Sequence, residues 1–323
     1  MPAPFTKKGV SPLYESRWNI WVELLLYPGH SLPTAAAPVV VGAGLAIHQH
    51  VFAAETALLC LVGSWLIHVG GVFTDNYELL RKHPNILEHP QLTAAIETKT
   101  LTLSHLRWAI LACLVLAAFT APYFFHIGGA PALVIGMIGV VASLGYAGGP
   151  YPYAKLGLAE PVFFIMFGIV AVVGTYYAQA APLYGAGFAR HAELQALPLS
   201  AFLIGLPIGA LVTNILIIDD IRDREFDAIK GWRTGAVRFG IGWSRIRYVL
   251  LSIVAYLAPI WFWVGLEFSG WVLLPLLTLP WAYTLARAVC TKDQSDDLLP
   301  MTPRASFLSF FYSVLLATGI AVS

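Results

Sequence analysis

The chain of 323 residues is 58% hydrophobic and 11% charged, well below the roughly 25% charged share of an ordinary soluble domain. A mean hydropathy of +0.72, with apolar runs recurring along the whole length, exceeds what one soluble core can bury and predicts a polytopic membrane protein. The 19 Lys and Arg against 18 Asp and Glu leave a formal charge of +1, which gives no electrostatic reason to expect nucleic acid or a strongly acidic partner.

Lys7 and Lys8 imitate the basic start of a signal peptide, but the next apolar stretch carries Glu23 and stops at Pro28 and Gly29. No cleavable signal is therefore expected. The Trp- and Tyr-rich stretch Arg17 to Tyr27 reads as an interfacial segment lying along the membrane surface. Nine apolar spans follow, at about 32 to 49, 54 to 74, 105 to 124, 127 to 147, 161 to 181, 199 to 218, 247 to 267, 269 to 289 and 305 to 322. Each suits a helix of about 20 residues crossing a ~30 Å hydrocarbon layer. Backbone amides in hydrocarbon must be bonded internally, and the alternating pattern of an outer-membrane barrel is missing, so the expected fold is an all-α transmembrane bundle. It forms one domain over residues 1–323.

A cytoplasmic N-terminus puts every one of the 19 Lys and Arg except Arg190 on the inner side, which orients the bundle and turns its C-terminus outward. The two long polar loops, 75 to 104 and 219 to 246, then both face inward, and long loops tend to carry function. Cys60, Cys113 and Cys290 have neither metal-ligand nor disulfide spacing and read as packing residues.

The first loop opens with Thr74-Asp75-Asn76-Tyr77-Glu78, followed by Arg81 and Lys82. Asp75 and Glu78 share a helix face at a spacing of three. Lys155 lies in the inward loop between the fourth and fifth spans, within reach of a phosphate or carboxylate and equally able to snorkel to lipid. Thr175 and Asn214 are polar residues inside spans, as helix contacts or ligands of an acceptor. His68 reads as a packing residue.

The second loop reads Asp219-Asp220-Ile221-Arg222-Asp223-Arg224-Glu225-Phe226-Asp227. If the helix continues, Asp219, Asp223 and Asp227 recur on one face, about 6 Å apart. Such a line repels itself unless cations sit among the carboxylates. Mg²⁺ suits it, being commonly held by one or two carboxylates, waters and phosphate oxygens. Two acidic clusters at the inner ends of two helices would clamp a diphosphate between metal ions, with Arg81, Arg222, Lys230 and Arg233 neutralising the remaining charge. Arg222 and Arg224 also fit as plain ion-pair partners on a solvated face.

These residues resemble the UbiA superfamily of intramembrane prenyltransferases, and within it the menaquinone branch, the 1,4-dihydroxy-2-naphthoate polyprenyltransferases. The likeness covers nearly the whole chain. It rests on Ser31 to Gly42, on Tyr146-Ala147-Gly148-Gly149-Pro150 with Gly157-Leu158-Ala159-Glu160 and Gly174-Thr175-Tyr176-Tyr177, and on the Asp loop with its tail Gly231 to Gly240. Two positions depart from the family pattern. The first motif, usually Asn-Asp-x-x-Asp, reads Thr74, Asp75 and Glu78, and Trp232 stands at the usual Lys position, with Lys230 nearby.

The resemblance implies an integral protein of a bacterial inner membrane, with the active site facing the cytoplasm. It implies Mg²⁺ on Asp75, Glu78, Asp219, Asp223 and Asp227, holding a polyprenyl diphosphate whose tail lies in the bundle. An allylic cation, stabilised by Tyr146, Phe163, Phe164, Tyr176 or Tyr177, would be attacked by an aromatic acceptor, with loss of CO₂ in the menaquinone reaction. Packing accounts for each of these rings as well. Competing readings are a UbiA-type terpene cyclase, transfer to another quinone or lipid acceptor, and a transporter, against which the missing inverted repeat speaks.

Overall fold

The computed structural model describes residues 31–83, 96, 99–184 and 197–323. The expected interfacial segment at 17–27, Arg190, and most of the first inward loop beyond His83 lie outside the described residues. All regular structure among the described residues is helical.

In chain order the bundle runs α1 (Ser31–His48), α2 (Ala54–Lys82), α3 (Leu103–Ala118) and α4 (Ala121–Gly145), then a single turn α5 (Tyr153–Leu156) and the rod α6 (Ala159–Leu183). It continues with α7 (Leu199–Arg222), the short α8 (Arg224–Lys230), α9 (Gly235–Gly265), α10 (Gly270–Thr291), the turn α11 (Ser295–Leu298) and α12 (Met301–Ala321). Among the described residues, seven helical segments are long and apolar enough to cross a membrane when α11 and α12 are taken together, and α1 and α3 are shorter apolar helices.

Several boundaries differ from the sequence expectation. α2 does not stop at residue 74 but carries the acidic motif out to Lys82 as helix. The second polar loop is likewise mostly helical, since α8 and the start of α9 occupy it. α3 ends earlier than expected, where Thr120 donates to the Ala117 carbonyl at 2.7 Å and a proline in the first turn of α4 starts the next helix. Proline is tolerated there because its missing N–H would be unpaired anyway.

α7 is the axis of the bundle. It is apolar all round, and nearly every residue from Ile204 to Ile218 is buried, as expected for a helix enclosed by others. Its closest neighbour is α6, whose Phe164–Val170 stretch winds as a π-helix. A Cβ on Gly205 would overlap the Gly168 carbonyl, so small residues allow this backbone approach. Hydroxyls join other helices, as Thr34 with Ser306 at 2.9 Å and Tyr256 with Thr278 at 2.6 Å. α4 faces largely outward, with Met137 and Val141 exposed, and its inner face closes only one side of a large central cavity.

Candidate active site

The cavity has a volume of 820 Å³ and reaches from the ends of α2 and α7 down to the α3–α4 turn at Thr120 and Ala121. Its deep part is apolar, lined by Ile67, Leu114, Phe124 and Ile135, while acids gather at its mouth. Asp75 and Asn76 come from α2, Asp219 and Asp220 from α7, Asp223 from the junction and Asp227 from α8.

α7 breaks at Asp223, yet the Asp223 N–H bonds to the Asp219 carbonyl at 2.8 Å and the Asp227 N–H to the Asp223 carbonyl at 2.9 Å. The four-residue spacing therefore survives the break, and all three acids line one cavity. Cations do sit among them. Arg222 Nη1 lies 2.6 Å from Asp219 and Nη2 2.5 Å from Asp223, with Nε donating to Asp223 at 2.7 Å. Thr302 at the start of α12 fixes this fork, accepting from Arg222 at 3.1 Å and donating to Asp219 at 2.6 Å. The Arg222 side chain is only 8% exposed, so this is a desolvated pair rather than a solvated surface one. Lys230 Nζ stands 3.1 Å from Asp227 and 4.3 Å from the centre of the Trp232 ring.

The turn that brings Lys230 and Trp232 over the mouth depends on Gly231, whose φ of 72° is left-handed and suits glycine at a helix C-terminus. The Trp232 N–H then returns to the Asp227 carbonyl at 2.8 Å, and the Arg233 N–H bonds across to the Lys155 carbonyl at 3.2 Å. Lys230, close to the position where the family resemblance expects a lysine, lines the cavity together with Trp232.

Aromatic rings form one wall. Tyr146 meets Tyr153 at 5.6 Å, Phe163 at 5.6 Å and Trp232 at 6.0 Å, and the series continues through Phe163–Phe167 at 5.3 Å to His68 at 5.6 Å. Burial, and then the carboxylates of Asp75, Asp220 and Asp227, push the Tyr146 phenol well above its ordinary range, and burial with Asp75 does the same for Tyr153. A raised phenol pKa favours the neutral form. Tyr146→Phe is therefore expected to leave the pH profile of turnover unchanged up to pH 10, whereas Tyr146→Ala, which removes the ring, lowers the rate by about tenfold at every pH. Rates measured across that range check both.

Several expected site residues stand elsewhere. Glu78 does not join Asp75, because Arg81 at 2.6 Å and Lys82 at 2.8 Å draw its carboxylate toward the helix end. With Arg81, Lys82 and Lys155 it lines a second, smaller cavity of 310 Å³, which shares Lys230 and Trp232 with the main one. Arg233 is exposed and lines neither. Tyr176 turns into the core, one residue past the cavity-lining Thr175. Asn214 faces α9, donating to the Tyr248 carbonyl at 3.1 Å and to Ser252 at 2.9 Å. Phe164 packs against the core, and the buried Tyr177 donates to the Gly128 carbonyl at 2.7 Å. Asp220, Tyr153, Phe167 and Thr302 were not singled out by motif reasoning. For Asp220 the signal was present, since 220, 223 and 227 also form an i, i+3, i+7 stripe.

Replacement of Glu78 by Gln is accordingly expected to change turnover by no more than about fivefold, the scale of a half-exposed ion pair. Asp75→Asn is expected to lower it by about a hundredfold. Steady-state rates of the two variants side by side check the different placement of these acids.

Among the described residues, no three His, Cys, Asp or Glu side chains converge closely enough to share one ion. Oxygen donors spaced around a polar mouth nevertheless fit Mg²⁺, which keeps several waters and shares few carboxylates with substrate phosphates.

Comparison with known proteins follows the same lines. The model of the UbiA prenyltransferase family matches residues 35–315. A 1,4-dihydroxy-2-naphthoate octaprenyltransferase of Mycobacterium tuberculosis is 28% identical over 298 residues, covering 90% of this chain and 94% of its own. One of the same name from Haemophilus influenzae is 26% identical, covering 90% and 93%. Among solved structures, the apo UbiA homolog of Aeropyrum pernix superposes with a TM-score of 0.65 at 16% identity, covering 90% of this chain and 97% of that one. A UbiA homolog from Archaeoglobus fulgidus, solved with GPP and Mg²⁺, gives 0.58 at 18% identity, covering 93% and 99%. An apolar helical bundle with acids at the mouth of a deep apolar cavity thus meets a family match over most of its length, and the chain belongs to the UbiA prenyltransferase family.

Proposed function

We propose that the protein transfers a polyprenyl group from a polyprenyl diphosphate to 1,4-dihydroxy-2-naphthoate, in a Mg²⁺-dependent step of menaquinone biosynthesis. The observation that carries this reading is the polarity of the main cavity, whose mouth is lined by Asp75, Asp219, Asp223 and Asp227 and whose depth is apolar. One end suits a metal-bound diphosphate and the other a hydrocarbon tail. The relatives named for naphthoate prenylation support the acceptor.

In this reading α1 and α3 also span the membrane, giving nine spans in one domain, with the N-terminus cytoplasmic and the C-terminus outside. The mouth then faces the cytoplasm, as expected for a bacterial inner-membrane enzyme supplied with soluble naphthoate. Asp75, Asp219, Asp223 and Asp227 would hold Mg²⁺, whose charge stabilises the diphosphate as its bond to C1 breaks.

The chain's own residues do the rest. Lys230 and Arg222, already seated among the acids, are placed to take phosphate oxygens. Scission of the C1–O bond leaves its electron pair on the diphosphate and an allylic cation against the Tyr146, Phe163 and Trp232 rings. The apolar wall keeps water away from that cation. The acceptor ring attacks C1 through the carbon bearing its carboxylate, and CO₂ leaves with restoration of the aromatic ring. Lys155, at the second cavity, is placed to meet the acceptor carboxylate on its way in.

Diphosphate release by the purified protein tests this directly. Release that needs both Mg²⁺ and the naphthoate is the expected result. Release with polyprenyl diphosphate alone points instead to cyclisation or hydrolysis.

A further inference from the structure

Below its acidic mouth the cavity has few polar side chains, and the protein itself satisfies most of them. Ser64 donates to the Ala35 carbonyl at 2.8 Å, Ser143 to the Ile67 carbonyl at 2.6 Å and Thr120 to the Ala117 carbonyl at 2.7 Å, while Thr34 pairs with Ser306 and Cys60 bonds to Thr175. His68 is the exception. It lines the same cavity and is half-buried, yet among the described residues its ring makes no hydrogen bond or ion pair. Phe167 holds it in place, meeting the imidazole edge to face at 81° with ring centres 5.6 Å apart.

His68 precedes Asp75 on α2 by two helical turns, which puts it on the same face about 10 Å deeper. From the mouth, the rings of Trp232, Tyr146, Phe163 and Phe167 run in series to the imidazole. Phe167 belongs to the π-helical stretch of α6, a wide turn of the kind often found at functional sites. With the diphosphate at the mouth and C1 against Tyr146 and Phe163, the space next along this row is open to an attacking aromatic ring. A prenyl tail in that space would strand the imidazole N–H against hydrocarbon, at a cost of about 1–3 kcal/mol. A ring that carries a hydroxyl gives it a partner.

We propose that His68 is a catalytic residue that accepts the proton of the acceptor hydroxyl next to the carboxylate-bearing carbon and then returns it, an inference resting on the naphthoate reading given above. A π pair of the acceptor ring forms the new bond to C1, the hydroxyl oxygen becomes a carbonyl, and its proton passes to the imidazole. Loss of CO₂ returns the pair of the breaking C–C bond to the ring, and the oxygen recovers its proton from the imidazolium. The imidazole is neutral before and after the cycle, so no outside base is consumed. Its specificity follows from the same contact, since an acceptor without that hydroxyl gives His68 nothing to deprotonate.

The test uses the full-length protein in detergent with Mg²⁺, and compares it with His68→Gln, which keeps a hydrogen-bonding group but cannot take the proton, and His68→Phe, which keeps the ring contact. Mg²⁺-dependent binding of farnesyl thiodiphosphate is expected to stay within twofold in both variants, while kcat with a polyprenyl diphosphate and 1,4-dihydroxy-2-naphthoate falls at least about a hundredfold, the lower end of what a positioned acid–base group contributes. With 1-methoxy-4-hydroxy-2-naphthoate, which has no such proton to give, the unaltered protein should slow to the rate of His68→Gln, and the variant should lose nothing further. A kcat within threefold of the unaltered protein in either variant overturns the role of His68, as does a loss of thiodiphosphate binding that matches the loss of kcat, which marks a structural part only. Should neither variant fold, the methoxy acceptor still decides, because its use by the unaltered protein at the full rate overturns the proposal. An unaltered protein that binds the thiodiphosphate but never prenylates the naphthoate removes the acceptor reading itself, and this proposal with it.

Discussion

Asp223→Ala is expected to lower turnover by about a thousandfold or more, with the protein still folded. Asp223 sits at the break between α7 and α8, its backbone continuing the helical bonds on both sides, and its carboxylate takes two donors of the Arg222 fork. Alanine is compatible with that backbone, and Arg222 keeps Asp219 and Thr302 as partners, so the helix end is retained. On the proposed mechanism, what is lost is one of the oxygen donors facing the diphosphate. Removing a single preorganised group that stabilises developing charge commonly costs a hundred- to a thousandfold, about 3–4 kcal/mol, and a metal donor stands at the upper end of that range. The check is kcat at saturating Mg²⁺ and prenyl diphosphate, together with a melting curve. Undiminished turnover would remove the metal clamp from the mechanism.

Arg222→Met is expected to show its largest effect on stability. The guanidinium is nearly buried and serves two carboxylates and a hydroxyl drawn from α7 and α12. Methionine fills much of the same volume but leaves Asp219 and Asp223 close together without their shared counter-ion. Breaking a buried pair from one side costs about 3–5 kcal/mol, because the remaining charge is stranded. The melting temperature in EDTA should fall accordingly, and Mg²⁺ should restore part of the loss by supplying positive charge at the same acids. Arg222→Lys should recover less than a conservative exchange normally does, since an ammonium cannot reproduce the two-pronged contact. A melting temperature that is indifferent to both Arg222 substitutions, with and without Mg²⁺, would show that the ion pairs carry no such load.

Much of the bundle was legible because hydropathy reports what lipid requires. Apolar runs of the right length marked the helices from Ser31 to Ala321. Helix ends were harder to read. Asp75 to Lys82 are polar and suggested loop, yet α2 simply extends beyond its apolar part, since helical hydrogen bonding does not stop where hydrophobicity does.

At the site, residue type and spacing brought out Asp75, Asp219, Asp223 and Asp227, which do meet around one cavity. The same spacing logic placed Glu78 with Asp75 and passed over Asp220. Spacing gives the face of a helix but not the pull of neighbours, and Arg81 and Lys82 turn Glu78 away. Thr302, Tyr153 and Phe167 lie far apart in the chain and in no motif. Only the folded bundle brings Thr302 of α12 onto Asp219 and sets Tyr153 and Phe167 on the cavity wall.

The measurement that bears most directly on the central claim is the mass of the lipid product made by purified protein with Mg²⁺, a long polyprenyl diphosphate, and 1,4-dihydroxy-2-naphthoate either present or absent. A product with the mass of the naphthoate plus the prenyl group less CO₂, formed only when acceptor and Mg²⁺ are both supplied, is the predicted result. A cyclic hydrocarbon or free polyprenol formed without acceptor, or no product under either condition, would contradict it.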